Sequence, residues 1–82
     1  VPIEDSLDLH SFVPRDVASV VEEYLRAAHA RGFREVRLIH GRGIGVQRRI
    51  VQSLLRGHPL VADFADAPEE RGGRGATVVR LR

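Results

Sequence analysis

Polar and apolar positions along this chain repeat with two different periods, and the switches between them mark its elements. Leu7 and Leu9 alternate with Asp8 and His10, the two-residue period of a half-buried strand. Val17, Val20, Val21, Tyr24, Leu25 and Ala28 then recur at helical spacing and make one apolar stripe. Pro14 suits the first turn of that helix and Asp16 its positive start; His29 and Arg31 suit its negative end, and Gly32 stops it. Residues 36–39 form a short, largely apolar second strand. A second helix begins near Val46, with Val46, Ile50, Val51, Leu54 and Leu55 on one face, and Gly57-His58-Pro59 ends it. Residues 61–65 and 76–82 read as the last two strands.

The order β-α-β-α-β-β predicts an α/β fold: a two-layer sandwich with a four-stranded mixed sheet and two helices on one face. Two right-handed crossovers would be followed by an antiparallel return. With Leu7, Leu9, Val36, Leu38, Val79 and Leu81 turned to the helices, Asp8, His10, Arg37, Arg80 and Arg82 turn outward onto an open face. Residues 1–6 read as an irregular lead-in and 7–82 as one domain. Segment 66–75, between the last two strands, is long for a hairpin connection in so small a domain, so it is either functional or mobile.

Length and composition narrow the classes. A chain of 82 residues makes one domain, burying roughly 60–65% of its unfolded surface. It has no cysteine, which excludes disulfides and thiolate zinc sites but leaves histidine and carboxylate sites open. No apolar run approaches the ~18 residues of a membrane span, and no signal peptide is visible, so the chain reads as cytoplasmic with no membrane partner. Its start at Val1-Pro2, without methionine, suggests a domain excised from something longer. The net charge of +2 hides an uneven layout: residues 1–25 carry six acids against one arginine, residues 26–82 twelve arginines against five acids. Every basic residue other than histidine is arginine, whose planar fork suits bidentate phosphate contacts. Several arginines flank glycine-rich segments, which favours a polyanionic partner over a merely solvated surface.

Three segments carry candidate chemistry. Asp8 and His10, two apart on a strand, emerge on one face, where the carboxylate would orient the imidazole and raise its basicity for proton transfer or metal binding. His40-Gly41-Arg42-Gly43-Ile44-Gly45 joins a strand to a helix, where glycines allow a tight turn and the helix start attracts anions. It is not the dinucleotide fingerprint: the third glycine comes one residue early and no acid follows at the required distance. Gly72-Gly73-Arg74-Gly75-Ala76-Thr77 is either a flexible hairpin tip or a flap that closes over a phosphate chain. Parallel strands would bring His10 and His40 to one edge of the sheet, where open α/β sheets place ligands. His29 and His58 read as structural residues at helix ends. No serine or threonine sits in a nucleophile elbow, which disfavours acyl transfer. The aromatic residues number only four, with Phe33 and Phe64 expected in the core, so base stacking would be limited.

Taken together, Leu7-Asp8-Leu9-His10, Ile39-His40-Gly41-Arg42-Gly43-Ile44-Gly45 with Arg48, and Gly72-Gly73-Arg74-Gly75-Ala76-Thr77 closely resemble the small MutS-related (Smr) domain. The match runs from about Leu7 to Leu81 and includes the His58-Pro59-x-Val61 step and Phe64-Ala65. The resemblance implies a two-layer α/β nuclease that nicks DNA or cleaves RNA. Such domains occur alone or at the ends of MutS-like recombination-suppressing proteins, pentatricopeptide-repeat proteins and ribosome-collision factors. It also puts Asp8 and His10 on the family's Leu-Asp-x-His catalytic signature, Gly41, Gly43 and Gly45 on its second glycine motif, and Arg42 at a position usually basic. One departure bears on catalytic competence: the family commonly has glycine after the first histidine, and here Ser11 stands there.

The expected reaction is phosphodiester cleavage. Arg42, Arg48 and the loop of Gly41, Gly43 and Gly45 would hold the phosphate, with Asp8-oriented His10 as general base. His40, or the loop at Arg74 and Gly75, would stabilise the developing charge. No cofactor is certain; a Mg²⁺ or Mn²⁺ ion on Asp8 is a variant left open, whereas one nearby carboxylate argues against a two-metal site. Two rival readings stand beside this one: a non-catalytic module that recognises structured DNA or RNA by shape, and a protein-docking domain that uses the open sheet face.

Overall fold

The computed structural model describes residues 3–43 and 45–82. Val1 and Pro2 of the expected lead-in, and Ile44 of the glycine loop, lie outside the described residues. In chain order come β1 (Ser6–Asp8), α1 (Pro14–Ala30), β2 (Glu35–Ile39), α2 (Val46–Leu55), β3 (Val61–Asp66), 3₁₀ turns at Glu69–Arg71 and Gly73–Gly75, and β4 (Ala76–Leu81). The sheet order is β1-β2-β4-β3. β1 runs parallel to β2, while β4 is antiparallel to both β2 and β3 and lies between them. The expected four-stranded mixed sheet and β-α-β-α-β-β order are therefore present.

Local chemistry explains each boundary. Pro14 opens α1, where its missing N–H leaves nothing unsatisfied, and Val13 before it is extended. At the other end Gly32 takes φ 84° and donates its N–H to the His29 carbonyl, while Phe33 N–H returns to Ala28, closing the last turn. β1 is shorter than the alternation predicts: it stops at Asp8, and His10 stands in a turn. Leu9 still donates its N–H to the Ile39 carbonyl at 2.8 Å and is fully buried. The pairing thus outlasts the regular strand by one residue.

The core is the helix-facing set that the two periodicities select. Leu9, Val17, Val21, Leu25, Ala28, Val36, Leu38, Val51 and Val79 are at most 1% exposed. Val46 departs from the expected apolar face of α2, since it is 39% exposed in the first helical turn, beyond the rim of the sheet.

The second sheet face is not wholly open. Segment 66–75 folds onto it: Arg37 donates from Nη1 to the Arg71 carbonyl at 2.8 Å, and Arg71 pairs with Glu35 at 3.4 Å. Arg37 is half-buried in consequence. Further along, Arg80 pairs with Asp63 across β4 and β3 at 3.0 Å. The arginines expected to stand bare on that face are largely engaged with carboxylates and carbonyls.

Candidate functional site

The site grows from the point where β2 gives way to α2. Gly41 and Gly45 both have left-handed backbones, with φ of 81° and 82°, a region that residues with a β-carbon enter only at a cost. They turn the chain so that α2 starts beside the carboxyl end of β2. Gly45 is the N-cap residue and offers no side chain, so no side-chain bond caps the first-turn N–H groups of α2. A cleft of about 200 Å³ opens there. His40, Gly41, Gly43 and Gly45 of the loop and Val46, Gln47 and Arg48 of α2 line it. Uncapped helix N–H groups and the positive end of a helix dipole are features that favour an anion.

The loop is locked from behind. Gly75 accepts the N–H groups of His40 and Gly41 at 3.0 and 2.9 Å, and its own N–H goes to Gly72. Gly75 is buried, with its backbone donor and acceptor both engaged. Segment 66–75 is thus a wall bonded to the glycine loop through ordered 3₁₀ turns. The sequence leaves residues 72–77 as either a hairpin tip or a flap over a phosphate chain; in the structure they are bonded into the 3₁₀ turn and the start of β4.

His40 is buried and its nitrogens are both bonded. Since a carbonyl only accepts, Nδ1 carries the proton and donates to Gly41 at 3.0 Å, leaving Nε2 to accept from the Thr77 hydroxyl at 2.8 Å. Burial holds its pKa below the ordinary value of 6.5; the bond to Gly41 opposes this in part, and the Arg48 charge adds to it. The ring is neutral at pH 7 and anchors the loop's first turn. From Thr77 the bonding continues: the Gln52 amide donates to the Thr77 hydroxyl and to Asp66, each at 3.4 Å. Asp66 in turn accepts Arg48 through both carboxylate oxygens, with Nη2 at 2.9 and 3.1 Å. The Arg48 hydrogen bond draws the Asp66 carboxyl below its usual range.

The other expected residues fall at two distances from the cleft. Arg42, Gly43, Gly45, Arg48 and Arg74 line an adjoining hollow of about 400 Å³, and Arg42 rests against Glu69 at 3.3 Å. Asp8 and His10 belong to the neighbouring strand end. The parallel register sets Asp8 opposite Ile39, so the chain reaches His10 just past the level of His40, at the same edge of the sheet. Asp8 accepts the backbone N–H of His10 at 2.9 Å, and its carboxylate stands 3.9 Å from His10 Nδ1. Both side chains are largely exposed, and neither lines the 200 Å³ cleft. The His10 turn is nonetheless tied to the cleft: Gln47, in the first turn of α2, donates its amide to the Phe12 carbonyl at 2.9 Å and to Leu9 at 3.5 Å.

No group of three His, Asp or Glu side chains suited to a metal ion occurs among the described residues. Asp8 with His10 alone is too small a donor set to cage a resident Mg²⁺ or Mn²⁺. Gln47, Gln52 and Asp66 were invisible as site residues in the sequence because they act through contacts between elements. Thr77 did carry a signal, as a hydroxyl on an otherwise apolar strand face.

Fold and site together define a two-layer α/β domain with a glycine-built cleft at the carboxyl edge of its parallel strands, and Arg42, Arg48 and Arg74 beside it. The chain belongs to the Smr domain family, whose model matches residues 7–82. Over 80 residues, 98% of this chain, it is 38% identical to endonuclease MutS2 of Caldicellulosiruptor saccharolyticus. With endonuclease MutS2 of Solidesulfovibrio magneticus it shares 51% identity over 69 residues, 79% of the chain. It spans about 10% and 9% of the length of these relatives. The crystal structure of the Smr domain of Thermus thermophilus MutS2 matches with a TM-score of 0.91 at 38% identity, covering 96% of this chain and 99% of that one. YdaL, a stand-alone small MutS-related protein from Escherichia coli, matches with a TM-score of 0.90 at 30% identity, covering 99% of this chain and 66% of that one.

Proposed function

We propose that this domain is an endonuclease that cleaves a phosphodiester of DNA or RNA, carried within a longer MutS-like protein. The observation that carries the reading is the uncapped start of α2 facing a glycine-built cleft, one strand away from an exposed imidazole. The relatives named as endonucleases support it. In this mechanism the first-turn N–H groups of α2 hold the phosphate oxygens, and Arg48 and Arg42 join them by turning from Asp66 and Glu69, the carboxylates they pair with. His10 accepts the proton of the attacking water or ribose hydroxyl as the new P–O bond forms. The bond to the leaving oxygen breaks, and that oxygen takes a proton from solvent. Asp8 fixes the turn that carries the imidazole. His40 holds Gly41 in place and, being neutral, contributes no charge of its own.

The test is nicking of supercoiled plasmid and cleavage of structured RNA, each with and without chelator. His10→Ala should lower the rate by about 10²–10⁴-fold, the usual worth of a positioned acid or base, while binding of uncut nucleic acid persists. Equal rates for wild type, His10→Ala and Asp8→Ala would sink the mechanism. The binding-only alternative draws on Ser11, an exposed side chain directly after His10. It predicts salt-sensitive binding and no cleavage with any metal.

A further inference from the structure

The cradle is not the end of the cationic surface. Beside it lies a second hollow, of about 260 Å³, lined by Gly45, Arg48, Arg49, Gln52, Arg56 and Arg74. It shares Gly45 and Arg48 with the cradle and Arg74 with the 400 Å³ hollow, so the three form one trough along the outer side of α2. The charges in this trough are of two kinds. Arg48 is neutralised by Asp66, whose carboxylate oxygens both accept from it. Arg49, Arg56 and Arg74 are exposed and make no ion pair among the described residues. Three guanidinium groups converging on one hollow repel each other unless an anion lies between them. Seven residues separate Arg49 from Arg56, two helical turns or about 10 Å along one side of α2. A nucleic-acid strand carries a phosphate about every 3.4 Å of its axis, so this span covers more than one nucleotide step.

We propose that Arg49, Arg56 and Arg74 form a second phosphate subsite, which holds the backbone next to the phosphodiester in the cradle, on the same strand. The proposal rests on the reading that the cradle takes a phosphodiester, and it names what that reading lacks: the direction in which the strand leaves, from the cradle along α2 toward Arg56. The substrate is then a strand of several nucleotides and not an isolated phosphate ester.

Binding separates this claim from cleavage. Fluorescence anisotropy would compare a dinucleotide with a single-stranded oligonucleotide of about ten residues across a salt series. Wild type should prefer the longer ligand. Arg49→Gln with Arg56→Gln should lose most of that preference, and its salt slope should fall by about 1–1.5, since each single-strand phosphate contact contributes about 0.7. Dinucleotide binding should be unchanged. Arg31→Gln with Arg34→Gln, between α1 and β2 at the far edge of the sheet, should leave the slope as in wild type. The subsite is overturned if wild type binds both ligands equally well, or if the Arg49/Arg56 variant keeps the wild-type slope. If the length dependence behaves as expected but no strand is cut, the endonuclease reading fails and the subsite stands.

Discussion

At the scale of single residues, the Thr77 hydroxyl shows how a cradle made of backbone is held in shape by side chains. It donates to the buried His40 ring, which donates to Gly41, whose left-handed turn sets the mouth of the cleft. Thr77→Val keeps the volume but leaves Nε2 of His40 buried without a donor. The expected cost is about 1–3 kcal/mol of unfolding free energy, read from urea titrations at pH 7.5. Weaker phosphate binding should accompany it, because the loop loses its anchor. His40→Phe would remove the unsatisfied nitrogen, but it would also break the bond to Gly41.

Among elements, a polar contact joins α1 to the turn after α2. His58 is expected from its place at a helix end to be structural. It is structural, but through Glu22, which accepts its Nε2–H at 2.6 Å, while Nδ1 accepts the Leu60 N–H at 3.1 Å. The His58 ring is 6% exposed and Glu22 30%. The His58 hydrogen bond, aided by Arg26, lowers the Glu22 pKa against the opposing effect of burial. Glu22→Gln should destabilise the domain by about 1 kcal/mol, the net worth of a partly exposed charged hydrogen bond. Because neither Glu22 nor His58 lines the cleft or the 400 Å³ hollow, dinucleotide binding at 25 °C should stay at the wild-type value. A stability loss with unchanged affinity separates this contact from those around Thr77.

For the whole molecule, three depressed pKa values set the response to acid. His40, Glu22 and Asp66 all bind protons less readily folded than unfolded. Their contributions are therefore complete above the ordinary values of 6.5, 4.5 and 3.8 and disappear as pH falls below them. Stability should decline in two stages, first below about pH 6.5 from His40 and then below about pH 4.5 from the two carboxylates. Urea midpoints measured from pH 8 to 3 check this, and His40→Gln should flatten the first stage while sparing the second. No helix of the described residues is long and apolar enough to cross a membrane.

The sequence by itself determined the elements and the glycine turn between β2 and α2. Helical and strand periods are local, and the glycines at 41 and 45 mark the turn wherever the rest of the chain goes. That Asp8 and His10 lie near each other was legible as well, but not in what form: the strand period put both on one strand, whereas β1 stops at Asp8 and His10 stands in a turn. Only the tertiary structure decided what those residues face. Insertion of β4 between β2 and β3 sets Thr77 opposite Leu38 and so brings its hydroxyl to His40. The same insertion folds segment 66–75 against the glycine loop and gives Arg48 its partner in Asp66. These contacts join residues 18 to 37 positions apart. No local period encodes them; they follow from which strand edges find each other, a choice made by the collapse of the whole core.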